Sequence, residues 1–243
     1  MMIPTIALIG AGKFGQNHLK TLIELDKEKK IDFFGVVELD SKIRKNIERE
    51  FKIKTTDNIY DFLDLVDGFD VVTPPSTHYK IVKFLLMKKK HVFVEKPLTV
   101  NPTHAKILAN LAKKNKKTLQ VGHIFRYDVT VNHLKKILKN KTPYQVNVKW
   151  LQNTPPSNDS GAIFVYMHGL DVLDYLFDIR PSKILSITNL MNQNLKFEIF
   201  STILINYDQK FSAIVSLGWI PSGKNREIEI LTKNCHIIWV YCV

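Results

Sequence analysis

The sequence predicts an α/β protein with two domains, a doubly wound parallel sheet over residues 1–124 and an α+β domain over residues 125–243. In the first part, short β-rich runs alternate with helical patterns, and this alternation is typical of a parallel sheet flanked by helices. In the second part, apolar and polar residues alternate along several segments, which indicates antiparallel strands with one buried face. A chain of 243 residues is long enough to form two hydrophobic cores.

The first domain is predicted to contain six strands with helices between them. The strands are the runs TIALIG, IDFFGVVE, IKTT, FDVVT, HVFV and TLQVG. Helices are predicted from Lys13 to Leu25, from Ser41 to Phe51, and over the later runs IYDFLDLV, HYKIVKFLLMKK and PTHAKILANLAKKN. In the last of these helices Ala105, Leu108 and Ala112 share one face, as expected of a helix that packs on a sheet.

The second domain is predicted to be built on a mostly antiparallel open sheet. In YQVNVKW the residues Tyr144, Val146 and Val148 alternate with polar residues, and FSAIVSLGW shows the same period. Further strands are expected near 183–190, 196–207, 211–220, 226–232 and 235–241, with one helix from Met167 to Phe177.

The composition indicates an ordinary globular protein with a basic surface. No apolar run reaches the roughly 18 residues that a membrane helix needs. Lysine and arginine outnumber aspartate and glutamate by 35 to 23, which gives a net charge of +12. The excess lies in lysine clusters at the ends of predicted helices, where cations suit the helix dipole, and no aromatic or zinc-ligand pattern accompanies them. We therefore expect no nucleic acid, membrane or metal partner, while a basic surface would favour an anionic substrate.

Two features favour a cytoplasmic location. The N-terminal run MMIPTIALIGAG is apolar but has neither a basic segment nor a cleavage-site pattern, so it is predicted to be the first strand rather than a signal peptide. The two cysteines, Cys235 and Cys242, would face opposite sides of one predicted strand, so no disulfide between them is expected.

The segment ALIGAGKFG contains three glycines in G-x-G-x-x-G spacing between a predicted strand and a predicted helix. Gly10 permits the tight turn, Gly12 lets the backbone approach a pyrophosphate, and Gly15 allows the helix to pack closely on the strand. Glu38, at the end of the second strand, would accept hydrogen bonds from ribose hydroxyls and repel a 2′-phosphate, which favours NAD over NADP. The alternative is a plain glycine turn beside a solvated glutamate. The predicted cofactor residues of this turn also include Lys13 and Phe14.

The segment VVTPPSTHYKIV follows the fourth predicted strand and is expected to line the same crevice. Two prolines force an extended turn, and a turn at the carboxyl end of a parallel strand lies where nucleotides bind. Thr73, Pro74 and His78 are therefore placed with the cofactor-binding residues, and His78 is given no catalytic role. The alternative, a stiff loop with a helix cap, is about as well supported for any single residue.

A third motif, HVFVEKP, places Glu95, Lys96 and Pro97 directly after a short buried strand. A strand that ends in two charged residues gives up easy solvation of both, and the proline then fixes the backbone. Taken alone, the motif is better explained as an ion pair at the surface end of a strand.

In this order and spacing, GAGKFG, TPPSTH, HVFVEKPLT and VGHIFRYD resemble the glucose–fructose oxidoreductase/inositol dehydrogenase (Gfo/Idh/MocA) family. The resemblance is strong over residues 3–130 and weaker to about residue 232, and the Glu-Lys-Pro motif is its most specific part. The pattern is most similar to the sugar-nucleotide branch, such as UDP-N-acetylglucosamine 3-dehydrogenases. It implies a Rossmann domain that binds NAD, and an oxidoreductase acting on a secondary alcohol of a sugar, cyclitol or sugar nucleotide. It also implies a homo-oligomer formed through the open sheet.

The resemblance further implies roles for individual residues. Lys96 would reach the substrate hydroxyl as the general acid/base, and a partly desolvated ammonium near NAD⁺ has the lowered pKa that this role needs. His168 matches the catalytic or substrate-binding histidine, and Asp171 would share its helix face and orient its imidazole. Arg126 would either reach a substrate phosphate or stabilise the domain interface. Glu95 and Lys96 are also expected among the cofactor contacts, and Lys96, Arg126, His168 and Asp171 among the substrate contacts.

Two departures from the family pattern support a second hypothesis. Phe164 stands where the family usually has an aspartate, four residues before the histidine. Family members also usually continue past the run NCHIIWVYCV, so the second domain is expected to be shortened. The alternative function is a dinucleotide-binding sensor or regulatory protein without dehydrogenase chemistry.

Overall fold

The structure is a computed structural model that describes residues 3–153, 161–190, 198–208 and 210–241. These residues divide into two compact units, Met1–Gly122 and His123–Val243, whereas the sequence analysis placed the boundary after residue 124. Cys242 and positions 196 and 197 of one predicted strand lie outside the described residues.

The first unit is a six-stranded parallel sheet in the order β3-β2-β1-β4-β5-β6. Its strands are β1 (Thr5–Ile9), β2 (Asp32–Val37), β3 (Thr55–Thr56), β4 (Gly68–Val71), β5 (His91–Val94) and β6 (Leu119–Val121). Its helices are α1 (Gly15–Lys27), α2 (Ser41–Phe51), α3 (Tyr60–Leu63), α4 (Pro75–Met87) and α5 (Pro102–Asn115). The strand order reverses between β1 and β4, and the loops after these strands form the crevice in which doubly wound sheets bind ligands. The predicted Rossmann fold is confirmed.

Helix α1 differs from its prediction, because it begins at Gly15 and not at Lys13. Residues 11 to 14 belong to the turn after β1, and the hydrogen bond from Gln16 N–H to the carbonyl of Gly12 opens the helix. Leu19 and Leu22 of α1 are buried and pack with Leu8 of β1 in one hydrophobic cluster. This packing fixes the helix against the sheet and so fixes the turn that precedes it.

The second unit is a six-stranded sheet in the order β12-β11-β7-β10-β9-β8. Its strands are β7 (Pro143–Gln152), β8 (Lys183–Asn189), β9 (Phe200–Asn206), β10 (Ser212–Trp219), β11 (Lys224–Thr232) and β12 (His236–Val240). A 3₁₀ helix (Ile124–Tyr127) leads into α6 (Val129–Leu138), and α7 (Ala162–Val165) precedes α8 (His168–Phe177). Strands β7 and β10 pair in parallel and the other neighbours are antiparallel, so the prediction of a mostly antiparallel sheet is confirmed.

One face of this sheet is covered and the other is open. On the covered face, Val148 and Trp150 of β7 pack against α8, where a Cβ on Gly169 would lie 3.1 Å from Val148. On the open face Leu204 is 43% exposed and Ile238 is 57% exposed. Within the residues described, no helix combines the length and the apolar character that crossing a membrane requires.

Candidate active site

The glycine turn after β1 has the shape that the sequence predicted. Gly10 has φ of +91°, and a Cβ there would lie 2.4 Å from the carbonyl oxygen of Val72. A Cβ on Gly15 would lie 2.3 Å from the carbonyl oxygen of Gly10, so the helix starts in direct contact with the turn. A Cβ on Gly12, in contrast, would meet no described atom within 4 Å. Two glycines are thus required by packing, and the third leaves open space for a ligand.

The carboxylate of Glu38 is tied to this turn. Its Oε2 accepts a hydrogen bond from the backbone N–H of Ala11 at 2.7 Å, and its Oε1 accepts one from Asp40 N–H at 2.9 Å. Each carboxylate oxygen can accept more than one hydrogen bond, so capacity remains for ribose hydroxyls. Glu38 follows β2 directly, which is the position that the sequence analysis required of a ribose-binding acid.

Three predicted segments of the first unit surround one cavity of about 380 Å³. It lies at the carboxyl ends of β1, β4 and β5, where the N-terminus of α1 favours an anion. The residues that line it are Gly12, Lys13, Phe14, Gly15, Val72, Thr73, Pro74, Pro75, Glu95 and Lys96. The open space at Gly12, the helix N-terminus and Lys13 fit the pyrophosphate of a dinucleotide, and Glu38 beside the turn fits its ribose.

The buried side chain of His78 connects the loop after β4 with the loop after β5. Its side chain is fully buried, its Nδ1 lies 2.8 Å from the carbonyl oxygen of Pro97, and its Nε2 lies 2.8 Å from that of Thr73. The sequence predicts His78 to be one of the cofactor-binding residues. The contacts in the structure show it holding the loops after β4 and β5 together, so any effect on a ligand would act through Thr73 and Pro97.

Glu95 and Lys96 follow β5, and the peptide bond between Lys96 and Pro97 is cis. Glu95 is buried, and its Oε2 accepts a hydrogen bond from the backbone N–H of Lys96 at 3.1 Å. Burial lowers the pKa of the Lys96 ammonium from its usual 10.5, and the negative charge of Glu95 partly offsets this effect. A lysine with a lowered pKa beside the glycine turn can accept a proton from a bound alcohol.

Two further residues, which none of the sequence motifs includes, lie next to Glu95. His18 of α1 lies with Nδ1 2.8 Å from Oδ2 of Asp70 and Nε2 3.3 Å from Oε1 of Glu95. Burial lowers the pKa of His18, but the hydrogen bonds to Asp70 and Glu95 outweigh it and raise the pKa to about 9. Burial raises the pKa of Asp70, and the bond to His18 opposes this. Two signals were available: a charged residue inside the buried strand GFDV, and a histidine one helical turn after Gly15.

In the second unit, Asp171 and Arg126 form an ion pair between α8 and the 3₁₀ helix, in which two N–H groups of the guanidinium donate to one carboxylate oxygen. Asp171 Oδ1 lies 2.6 Å from Nη2 and 2.9 Å from Nε of Arg126, and Nη2 also lies 2.9 Å from Asp174 Oδ2. These bonds, with that to Asp171 the strongest, raise the pKa of Arg126 against the effect of burial. The imidazole of His123 lies 3.3 Å from the same Asp171 oxygen. Arg126 therefore joins elements of its own unit.

His168 is the first residue of α8 and lies against aromatic side chains. Its ring centroid is 5.1 Å from that of Phe125 and 6.1 Å from that of Trp150. The carboxylate of Asp171 is engaged by Arg126 and His123 in the structure. The expected pairing of His168 with Asp171 stays a prediction. Phe164, the departure from the family pattern, lies in the short helix α7.

Comparisons with known proteins agree with this geometry. The chain is 24% identical to the glucose-6-phosphate 3-dehydrogenase of Bacillus subtilis (strain 168) over 96% of its own length and 68% of that protein. It is 32% identical to the inositol 2-dehydrogenase of Rhodococcus jostii (strain RHA1) over 71% of its own length, and there it spans only half of the relative. Among solved structures, the UDP-N-acetylglucosamine 3-dehydrogenase of Acidithiobacillus ferrooxidans superposes with a TM-score of 0.86 at 20% identity, over 97% of this chain and 76% of that one.

The family model that matches describes an oxidoreductase family with an NAD-binding Rossmann fold, and it covers residues 5–123. This range includes the glycine turn, Glu38 and the Glu-Lys-Pro motif, all of which border the cavity or the turn beside it. Residues 5–123 therefore form an NAD-binding Rossmann domain of the Gfo/Idh/MocA oxidoreductase family.

Proposed function

We propose that the protein is an NAD-dependent oxidoreductase that transfers hydride between nicotinamide and a secondary alcohol or ketone of a sugar, cyclitol or sugar nucleotide. The observation that carries the proposal is the position of Lys96, a half-buried lysine with a lowered pKa in the wall of the cavity beside the glycine turn. Cofactor binding alone does not require a lysine with a lowered pKa, whereas proton transfer does, and this favours the enzyme over the sensor or regulatory alternative.

The cofactor is held by the first unit. Backbone N–H groups at the start of α1 meet the pyrophosphate, while Glu38 accepts hydrogen bonds from the ribose and disfavours a 2′-phosphate. Thr73, Pro74 and Glu95 line the same cavity as Lys96. Bound NAD⁺ supplies the hydride acceptor.

The chain supplies the proton transfer. Neutral Lys96 takes the proton of the alcohol as the alcohol carbon is oxidised, and the ammonium returns it in the reverse reaction. His168 assists this transfer or binds the substrate. Arg126 and Asp171 are proposed as further substrate contacts. The matched relatives act on a sugar phosphate and on inositol, as their names state, which supports a small polyhydroxylated substrate and not a nucleic acid.

The test combines cofactor binding with turnover. We expect purified protein to bind NADH at least tenfold more tightly than NADPH by fluorescence titration, because Glu38 repels the 2′-phosphate. With NAD⁺ and glucose 6-phosphate, inositols or UDP-N-acetylglucosamine, we expect NADH formation that Lys96→Met lowers about 10²–10⁴-fold in kcat while NADH affinity is kept.

Lys80→Met is the matched control, since Lys80 is an exposed lysine on α4. It should leave both cofactor affinity and turnover unchanged. Full turnover by Lys96→Met would contradict the assignment of the acid/base, and failure to bind either cofactor would contradict the whole proposal.

We also propose a cytoplasmic homo-oligomer that associates through the open face of the second sheet. Leu185, Leu204 and Ile214 lie in one row across β8, β9 and β10, and Leu185 is 55% exposed. Burying this row against a second copy would remove apolar surface from water. Leu204→Glu should lower the mass measured by light scattering, whereas Thr202→Glu on the same face but off the row should lower it less. A wild-type monomer at high concentration would contradict this assembly.

A further inference from the structure

The side chains of His18, Asp70 and Glu95 meet in one buried cluster of the first unit. They come from three neighbouring elements, since His18 lies in α1, Asp70 in β4, and Glu95 follows β5. Their side chains are only 15%, 9% and 10% exposed, respectively. Three titratable groups are costly to bury unless they compensate one another, so the arrangement calls for an explanation.

Both ring nitrogens of His18 face a carboxylate oxygen, Nδ1 at 2.8 Å from Asp70 and Nε2 at 3.3 Å from Glu95. A neutral imidazole donates from one nitrogen only, whereas an imidazolium donates from both. The geometry is therefore that of a cation held between two anions. The ring centroids of Phe14 and Phe93 lie 5.4 Å and 6.1 Å from that of His18 and add no charge.

Glu95 is in turn confined on its other sides. Its Oε2 accepts the backbone N–H of Lys96 at 3.1 Å. A Cβ on Gly122 would lie 2.5 Å from its Oε1, so the backbone of that glycine closes the space behind the carboxylate. The Glu95 side chain thus connects the imidazole of His18 to the backbone N–H of Lys96.

We propose that His18, anchored by Asp70, is a positioning residue that fixes Glu95 beside Lys96 and offsets its negative charge. This inference rests on the proposed role of Lys96 as the acid/base. It explains how Lys96 can become neutral although the negative charge of Glu95 beside it favours the ammonium form.

The electrostatic consequence has a definite sign. The charge of Glu95 raises the pKa of Lys96 against the lowering effect of burial. The other charged side chain in the wall of the Lys96 cavity is Lys13, and His18 itself faces Asp70 and Glu95. Removing the His18 cation leaves the negative charge of Glu95 uncompensated, so the pKa of Lys96 should rise.

The experiment compares kcat for alcohol oxidation as a function of pH in the wild type and in His18→Asn. Oxidation needs neutral Lys96, so kcat rises as the pH passes the pKa of that lysine. In His18→Asn the rising limb should move up by about one pH unit, which lowers kcat near neutral pH roughly tenfold while KM and NADH affinity change little. His104→Asn is the control, because His104 stacks on Tyr79 between α4 and α5.

A double-mutant cycle separates this role from a merely structural one. Glu95→Gln should move the limb to lower pH, and adding His18→Asn to Glu95→Gln should cause no further shift, because His18 acts through the Glu95 charge. Additive effects, or a uniform loss of kcat at all pH values together with weaker NADH binding, would overturn the proposal.

A second readout does not depend on turnover. Reductive ¹³C-methylation of the lysines, with Lys96→Met used to assign the signal, gives the pKa of Lys96 directly by NMR. A higher value in His18→Asn supports the control of the Lys96 pKa by His18. If no sugar substrate is turned over, the proposed function fails, but this coupling between His18, Glu95 and Lys96 stands. An unchanged value overturns the inference whatever the activity.

Discussion

Each unit has a buried carboxylate that lies between a histidine and a cationic residue, Glu95 in the first unit and Asp171 in the second, and the two differ in that cation. The side chains of Glu95 and Asp171 are 10% and 5% exposed, and each lies 3.3 Å from a histidine ring nitrogen. Next to Glu95 is Lys96, whose pKa is lowered by burial. Bonded to Asp171 is Arg126, whose pKa is raised by that bond.

The difference separates a group that can exchange protons from one that holds a fixed charge. A guanidinium stays protonated under all ordinary conditions, so the pair of Arg126 with Asp171 can orient a helix or a ligand but cannot serve as a base. An ammonium in a partly desolvated wall changes protonation state much more readily. Similar burial and a similar histidine contact therefore lead to different chemistry, and the accompanying cation decides which.

The largest effect expected from this contrast is on the pH dependence of stability. The pKa of His18 is about 9 in the folded protein and 6.5 in an unfolded chain. The stabilisation from its two carboxylate partners is thus complete below pH 6.5 and is lost as the pH rises through about 9. We expect the difference in unfolding free energy between the wild type and His18→Asn to shrink by up to about 3 kcal/mol across this window.

Urea unfolding at a series of pH values from 6 to 10 measures this difference, with His104→Asn as the control that should parallel the wild type. Parallel curves for His18→Asn and the wild type would show that the histidine is not charged in the folded protein. The cluster around Glu95 would then contribute a stability that does not change with pH between 6 and 10, as is expected of the pair of Asp171 with Arg126.

The sequence could predict the part of the site that depends on topology. In a doubly wound sheet the carboxyl ends of β1, β4 and β5 must lie side by side, so Gly12, Thr73 and Lys96 could be placed in one crevice without knowledge of any side-chain contact. Glu38 was predictable for the same reason, because the end of β2 lies next to the end of β1.

The parts that the sequence could not predict depend on packing between distant segments. The contact of His18 with Asp70 depends on how α1 sits across β4, and neither residue belongs to the G-x-G-x-x-G or Glu-Lys-Pro motif. Asp171 was expected to orient His168, three residues away on the same helix, but its strongest partner, Arg126, is 45 residues away. Local spacing on a helix indicates which residues share a face and leaves open which distant side chain reaches them.

A smaller effect is expected from the fixed pair. Asp171→Asn keeps the size of the side chain but removes the charge opposite Arg126. Breaking a fully buried pair costs about 3–5 kcal/mol. The Arg126 side chain is 36% exposed and can be solvated, so we expect a loss of about 2 kcal/mol in unfolding free energy. A loss that grows as the pH rises from 6 to 9 would contradict the assignment of a fixed charge, because a guanidinium stays protonated throughout this range.

The smallest effect is expected at the outer end of the same network. Asp174 also contacts Arg126, at 2.9 Å, but its side chain is 64% exposed. Exposed ion pairs contribute little and are screened by salt, so Asp174→Asn should cost about 0.5 kcal/mol or less, and less still at high ionic strength. Urea unfolding of both variants at low and high salt compares them directly. If Asp174→Asn were as costly as Asp171→Asn, the two carboxylates would stabilise Arg126 equally. Burial of Asp171 would then not explain why its ion pair contributes to stability, and the comparison of Asp171 with Glu95 would fail.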